Sequence, residues 1–417
     1  MAVDYDLVII GGTLAGRQAA IAASQTGARV ALVEPPNVVQ QQIDADNRRR
    51  HLHQLGTWPD HSGFSPLLDW EGLAGRGVDL LVGEPQLLSA DLPTFQVAER
   101  RLSARAGLLA MDCHPRLYGF KALSHDVLRS PTEFVRRPPS RQIAIVGQQA
   151  ASVEWAFALA GSAIETTLIL PGDRVLPAED VDIQRLVAAQ LQAVGVRLVP
   201  EAALPTVNAD QILLTDTGRP RLVGLERAAM QSDERIKTNA FLQTAHPRLY
   251  AVGAILGGEN RAALAQQEIL VAVHNALFLR NRVMTYDRAC YDIQSLTPIG
   301  RVGLTEQQAR QFNADVRVYQ CSQELAHPPY ALNFCKLITT TEQRLLGAHL
   351  MGPAAADAAA LLAQQLGRPI TAGVGPPSTL SGLIAQAIAQ ASQNRWQPGR
   401  WRRDWAENWF NWRRSRG

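Results

Sequence analysis

YDLVIIGGTLAGRQAAIAASQTGARVALVE fills residues 5–34. LVII is apolar and β-branched, so it reads as a buried strand. Gly11 and Gly12 break it, AGRQAAIAAS has helix-forming composition, and Gly27 stops the helix. VALVE is a second buried strand. Strand, glycine turn, helix and strand make a βαβ unit. Glu34 closes the second strand 23 residues after Gly11, where an acid reaches the ribose of a dinucleotide. In such a turn the first glycine permits the bend, the second admits the pyrophosphate, and the third seats the helix on the strand. Gly11 and Gly16 hold the outer positions and Thr13 the middle one. Threonine crowds the backbone, although its hydroxyl can donate to a phosphate. The bland alternative is a tight strand-to-helix turn and nothing more.

A second unit follows the link VRRPPSR and spans about 141–200. QIAIVG is its strand, ASVEWAFALAGS its helix and TTLILP its second strand. Gly147 remains, but Gln149 and Ser152 replace the other two glycines, and Leu170 stands where a ribose acid belongs. Side chains at 149 and 152 are expected to project into the pyrophosphate position. QILLTD and RLYAVGAI read as short strands, followed by the helix ALAQQEILVAVHNALFLRNR. From about 286 the pattern changes to antiparallel strands (VRVYQCS, FCKLITT, LLGAHLMG) and the helices DAAALLAQQL and SGLIAQAIAQA.

The 417 residues allow two or three domains. The chain is 46% hydrophobic and 19% charged, as a soluble globular protein is. No apolar run is long enough to cross a bilayer, and acidic Asp4 and Asp6 do not read as a signal peptide; a cytoplasmic protein is expected. Cys113, Cys290, Cys321 and Cys335 are far apart and suggest neither a disulfide framework nor a zinc site.

IIGGTLAG, LLAMDCHP, IAIVGQQAASVEWA, LLTDTGRPR, LYAVGAI, RVGLTEQQA and LLGAHLMGP stand in an order that resembles the FAD-dependent pyridine nucleotide–disulfide oxidoreductases. This is the family of glutathione reductase, lipoamide dehydrogenase and mercuric reductase. The resemblance covers roughly residues 4–391 and implies an α/β chain with two Rossmann-like domains and an α+β dimerisation domain. The expected division is 1–137 and 242–285 for FAD, 138–241 for a degenerate NAD(P)H-type domain, 286–394 for dimerisation, and 395–417 as a tail. The implied flavin contacts are Gly11, Gly12, Thr13, Leu14, Ala15, Gly16, Glu34, Pro35, Pro85, Ala110, Gly253, Ala254 and Ala262. Several depart from the family pattern. AMDCHP (Ala110–Pro115) replaces an Ala-Thr-Gly-Ser-x-Pro stretch, Ala254 replaces an aspartate, and Pro85 removes an N–H that usually meets the adenine. Glu154 matches the family's glutamate on the second helix, or is a polar residue at the core edge. NAD(P)H binding is not expected.

The resemblance also implies a CxxxxC disulfide and a His/Glu acid–base pair, and neither is present. Residues 35–60 contain no cysteine, and Pro377 and Gly382 stand at the acid–base positions. No thiolate and no proton-transfer group remain for disulfide exchange. His51, His53 and His61 lie in the replaced segment and read as solvated residues, not as metal ligands. Cys113 and His114 are neighbours on a strand end and point apart.

The tail carries five of the eight tryptophans, with seven arginines against Asp404 and Glu407. Trp401, Trp405, Trp409 and Trp412 fall on one helical stripe. Interfacial aromatics with arginines suit an anionic membrane surface; a partner protein and self-packing are the alternatives. No nucleic acid is expected, because the body outside the tail leans acidic. The expectation is a homodimeric FAD flavoprotein without disulfide reductase activity, peripheral on the cytoplasmic face of a membrane, that transfers electrons at a membrane surface or to a partner protein. Its alternative is an inactive pseudoenzyme that acts as a dimeric scaffold.

Overall fold

The computed structural model describes residues 3–34, 70–115, 128–129, 134, 140–162, 164–201, 207–220, 225, 236–257, 261–312, 315–325, 332–371, 374–394 and 400–415. Two compact units emerge: Met1–Pro177 with Val187–Thr285, and Ala178–Leu186 with Tyr286–Gly417.

The first unit holds two open sheets of similar plan. In one, β1 (Tyr5–Ile10), β2 (Val30–Glu34), β3 (Asp79–Val82), β4 (Pro85–Ser89), β5 (Thr94–Val97) and β6 (Arg100–Leu109) lie in the order β3-β2-β1-β6-β5-β4. β6 is shared: Arg100–Ser103 pairs antiparallel with β5, and Ala104–Leu109 runs parallel to β1. The strand β14 (Leu249–Ala251) adds to β6 on its far side. All five residues of β2 are buried, as in a parallel strand covered on both faces. α1 (Leu14–Ser24) presents Ala15, Ala19, Ala20 and Ala23, all buried in one core with Leu7, Ile9 and Leu32. Small side chains let this helix approach the sheet closely, and the segment Ala262–Leu277 packs on it.

The second sheet has the strands β8 (Leu128–Arg129), β9 (Gln142–Val146), β10 (Glu165–Leu170), β11 (Arg197–Pro200) and β12 (Gln211–Leu214), in the order β11-β10-β9-β12-β8, all parallel; β7 (Cys113–Pro115) and β13 (Thr217–Pro220) form a separate antiparallel pair. The registers Ile10↔Leu109 and Val146↔Leu214 make β1 the counterpart of β9, and β6 that of β12. Each sheet therefore has its topological switch point beside a glycine turn. After α2 (Trp70–Ala74), helix α3 (Ala150–Gly161) leaves the second turn.

The second unit is a five-stranded antiparallel sheet: β15 (Cys290–Ile293), β16 (Ile299–Gly303), β17 (Val316–Glu324), β18 (Leu332–Thr340) and β19 (Leu345–Met351), ordered β15-β16-β19-β18-β17. The helices Ala355–Ala363 and Leu380–Asn394 cover one face and share its apolar core. The strands read in VRVYQCS, FCKLITT and LLGAHLMG are β17, β18 and β19. The segment Ala178–Leu186 belongs with this unit, a division that local pattern does not reveal. The helix Arg400–Arg414 closes the described chain.

Candidate functional site

Gly11 has φ +111°, a conformation that side chains disfavour. Its N–H donates to the Val33 carbonyl at 2.8 Å, and a Cβ there would meet the Ala110 carbonyl carbon at 2.6 Å. A Cβ on Gly12 would run into the Glu34 carboxylate, and one on Gly16 into the Gly11 carbonyl. The absent side chains seat α1 on β1 and bring the buried Glu34 against the turn. The Thr13 hydroxyl donates to the Ala110 carbonyl at 2.6 Å and accepts the Gly16 N–H at 3.3 Å. It is turned inward as the N-cap of α1, which corrects the expectation that it donates to a phosphate. The N–H groups of Gly12, Thr13 and Leu14 meet no acceptor among the described residues. Such donors at a helix N-terminus suit an anion.

Ala110 lies against Gly11, and Gly253 lies against Ala15 of α1. Leu14 is the first residue of α1, Ala15 is buried beneath it, and Ala110 follows β6. Pro85 is buried at the start of β4, opposite Val97. The Gly253 N–H donates to Glu268 at 2.7 Å, and Ala254 accepts the Cys113 thiol at 3.2 Å. Ala262 opens the helix Ala262–Leu277; Pro35 lies outside the described residues. The buried acid Glu268 was missed in sequence. Its only signal was a lone carboxylate within the apolar run ALAQQEILVAV.

The second turn is built alike and filled differently. Gly147 has φ +153°, and its N–H donates to Ile169 at 3.1 Å, as Gly11 does to Val33. Gln148 and Gln149 donate their N–H groups to the Asp216 carboxylate at 3.1 and 3.3 Å. Ser152 is fully buried; its hydroxyl donates to Asp216 at 3.0 Å and pairs with Thr215 at 2.7 Å. Ser152 therefore points inward, contrary to the expectation that it projects toward a pyrophosphate. The Gln148 side chain accepts the Gly172 N–H at 2.8 Å, and its backbone carbonyl accepts the Leu176 N–H at 2.7 Å. Glu154 faces Arg261 at 3.9 Å. Asp216 falls within LLTDTGRPR, where nothing in the local pattern marks it as an acceptor for this turn.

The cysteines offer no ready nucleophile. Burial raises the Cys113 thiol to about 12 and Cys290 to about 11, and also raises Cys321 and Cys335. At the acid–base positions, the Gly382 N–H donates to Thr379 at 3.2 Å, and a Cβ on Gly382 would enter the Pro376 carbonyl. A glutamate cannot stand there without rebuilding the turn. His51, His53 and His61 lie outside the described residues. No metal-binding group of His, Cys, Asp or Glu occurs among the described residues.

The second unit contains a buried charge cluster that sequence reading missed. Lys336 Nζ lies 2.7 Å from Asp180, 2.7 Å from Asp182 and 2.8 Å from Glu306. Burial opposes its charge, but the three carboxylates outweigh that and raise its pKa. Beside it, Arg301 lies 3.5 Å from Glu179, which also accepts the Tyr291 hydroxyl at 2.7 Å. His349 is fully buried: its Nε2–H donates to Leu304 at 3.1 Å, and Nδ1 lies 4.0 Å from Glu179. Burial, then the Arg301 charge, lowers the imidazole to about 4.

On the tail helix Trp405 stacks on Trp409 at 5.9 Å and Trp409 on Trp412 at 5.0 Å. These three rings and Phe410 are exposed. The Trp401 side chain lies outside the description. Among the described residues, no helix is long and apolar enough to cross a membrane.

Residues 5–276 match the family model described as pyridine nucleotide-disulphide oxidoreductase, and residues 294–374 match that family's dimerisation domain. A mercuric reductase of Staphylococcus aureus is 26% identical, covering 87% of this chain and 78% of its own. A dihydrolipoyl dehydrogenase of Bacillus subtilis is 25% identical, covering 94% of this chain and 98% of its own. A glutathione reductase of Nostoc sp. is 24% identical, covering 86% and 92%. Among solved structures, the Cu(II) complex of the HOCl-induced flavoprotein disulfide reductase RclA from Escherichia coli aligns with a TM-score of 0.70 at 19% identity. That alignment covers 92% of this chain and 99% of the other. At that identity the likeness speaks for the fold.

Proposed function

The chain belongs to the pyridine nucleotide-disulphide oxidoreductase family, and from that premise we propose that it is a homodimeric flavoprotein that binds FAD at the Gly11–Gly16 turn without disulfide exchange. The observation that carries the reading is the first turn itself. Its glycines leave a cradle that a Cβ would fill, the Gly12, Thr13 and Leu14 N–H groups meet no acceptor among the described residues, and Glu34 is packed against Gly12. These groups fit a diphosphate and its adjoining ribose. FAD, when bound, supplies one- and two-electron chemistry. The turn N–H groups would hold the diphosphate, and Glu34 would orient the ribose. Ala254 offers no side-chain acceptor for the ribityl hydroxyls, and Glu268 fixes the neighbouring Gly253 N–H.

Support for a chemistry without disulfide exchange is threefold. Residues 35–60 contain no cysteine. All four thiols are raised by burial. The turn at Gly382 has no room for an acid. Nicotinamide dinucleotides are not the electron source in this reading. The tail helix rests on an anionic membrane surface, with the indole stripe at the headgroup boundary and the arginines among the phosphates. Purified protein saturated with FAD and then desalted should retain one flavin per chain. Absence of bound flavin would defeat the reading and favour the scaffold alternative, which the loss of both reactive pairs also suits.

A further inference from the structure

The two glycine turns offer an internal comparison within one chain. The registers Ile10↔Leu109 and Val146↔Leu214 place Met111 and Asp216 at equivalent positions, two residues beyond the strand end. Ala110 N–H donates to Ile10 at 2.8 Å, and Thr215 N–H to Val146 at 3.2 Å, which confirms the equivalence. At the first crevice the residue is a buried neutral methionine; at the second it is a buried carboxylate.

We propose that the second dinucleotide site is closed by the chain's own groups: Asp216 takes the place of the pyrophosphate, and Gln148 bridges the place of the adenosine ribose. The Asp216 carboxylate accepts the Gln148 and Gln149 N–H groups at 3.1 and 3.3 Å. These correspond to the Gly12 and Thr13 donors of the first turn. They are the donors that a diphosphate uses in a turn of this type. The Ser152 hydroxyl donates to the carboxylate at 3.0 Å and is itself paired with Thr215, and Asp216 is 3% exposed. A diphosphate at this crevice would meet a fixed like charge in a place shielded from water, and it would have to compete for donors already satisfied.

The second closure uses other atoms of Gln148, its side-chain amide and its carbonyl. Gln148 Oε1 accepts the Gly172 N–H just after β10, where Leu170 offers no acid. The Gln148 carbonyl also holds the Leu176 N–H, and Leu176 is fully buried with φ +51°. A leucine in that strained conformation persists only where its surroundings fix it. The loop Pro171–Leu176 is thereby tied to the turn across the ribose position. Asp216 is thus a specificity-determining residue that acts by exclusion.

This inference rests on the reading that electrons do not arrive from a nicotinamide, and it is tested by binding rather than by turnover. NADH and NADPH are titrated into wild-type protein and into the Asp216→Ala, Asp216→Asn and Gln148→Gly variants, with and without FAD. Nucleotide fluorescence reports binding, and circular dichroism reports folding. The expected result is no saturable binding to wild type and a gain of at least about tenfold in affinity with Asp216→Ala. Asp216→Asn, which keeps an acceptor and loses the charge, should show a smaller gain and decides the matter if the alanine variant does not fold. Wild-type binding as tight as that of the variants would overturn the proposal, and so would folded variants that gain nothing. Failure of FAD to bind while these titrations behave as expected would sink the reading of the first turn and leave this closure standing.

Discussion

The Thr13 hydroxyl donates to the Ala110 carbonyl at 2.6 Å. The residue that replaces the middle glycine of the first turn therefore ties α1 to the end of β6 and leaves the mouth of the turn clear. Thr13→Ala removes that bond and the cap on the Gly16 N–H. It should cost about 1–2 kcal/mol of stability, read as a lower urea midpoint, while flavin content stays unchanged. Flavin loss without a stability change would mean that the hydroxyl serves the ligand.

Gly12 and Glu34 are packed so closely that a Cβ on Gly12 would enter the carboxylate. Gly12→Ala should displace Glu34 and weaken FAD at least about tenfold. Glu34→Gln, which keeps the size and removes the charge, should weaken it by a similar factor. Equilibrium dialysis with FAD measures both. Unchanged affinity in both variants would place the flavin elsewhere.

The βαβ units were legible because strand and helix periods differ and glycine marks the turn between them. The strands of the second unit were legible for the same reason. Asp216 was not, because it lies 68 residues from Gln148 in sequence. Only the pairing of β9 with β12 brings them together. The grouping of Ala178–Leu186 with the second unit was hidden likewise: Lys336 finds Asp180 at a separation of 156 residues. The inward turn of Thr13 depends on a rotamer, which composition does not encode. The tail stripe was legible because helical spacing alone puts Trp405, Trp409 and Trp412 on one face.

The buried His349 makes stability depend on pH. Burial holds its imidazole at about 4 when folded, against the ordinary 6.5 when unfolded. The unfolded chain therefore binds a proton that the folded chain excludes, and stability falls as pH drops from 6.5 toward 4. The loss from this group is on the order of 3 kcal/mol. His349→Gln should flatten the thermal-midpoint profile in that window. An unchanged slope would show that the lowered carboxylates of Asp180 and Glu306 dominate acid lability.

The tail helix bears the stacked pair Trp409 and Trp412 at 5.0 Å and ends with Arg413 and Arg414 in its last turn. Flotation with phosphatidylglycerol vesicles should carry the full chain upward, and neutral phosphatidylcholine vesicles should not. A paired Trp409→Ala, Trp412→Ala variant should lose most of the flotation. Equal flotation on both lipids would remove the electrostatic part of the account, and none on either would point to a protein partner.

The central claim is that flavin sits at an open first turn while the second turn is closed to nicotinamide. One anaerobic spectrum tests it. FAD-saturated, desalted protein should show the flavin absorbance bands, keep them when NADH or NADPH is added, and lose them when dithionite is added. Absent bands, or prompt bleaching by either pyridine nucleotide, would contradict the claim.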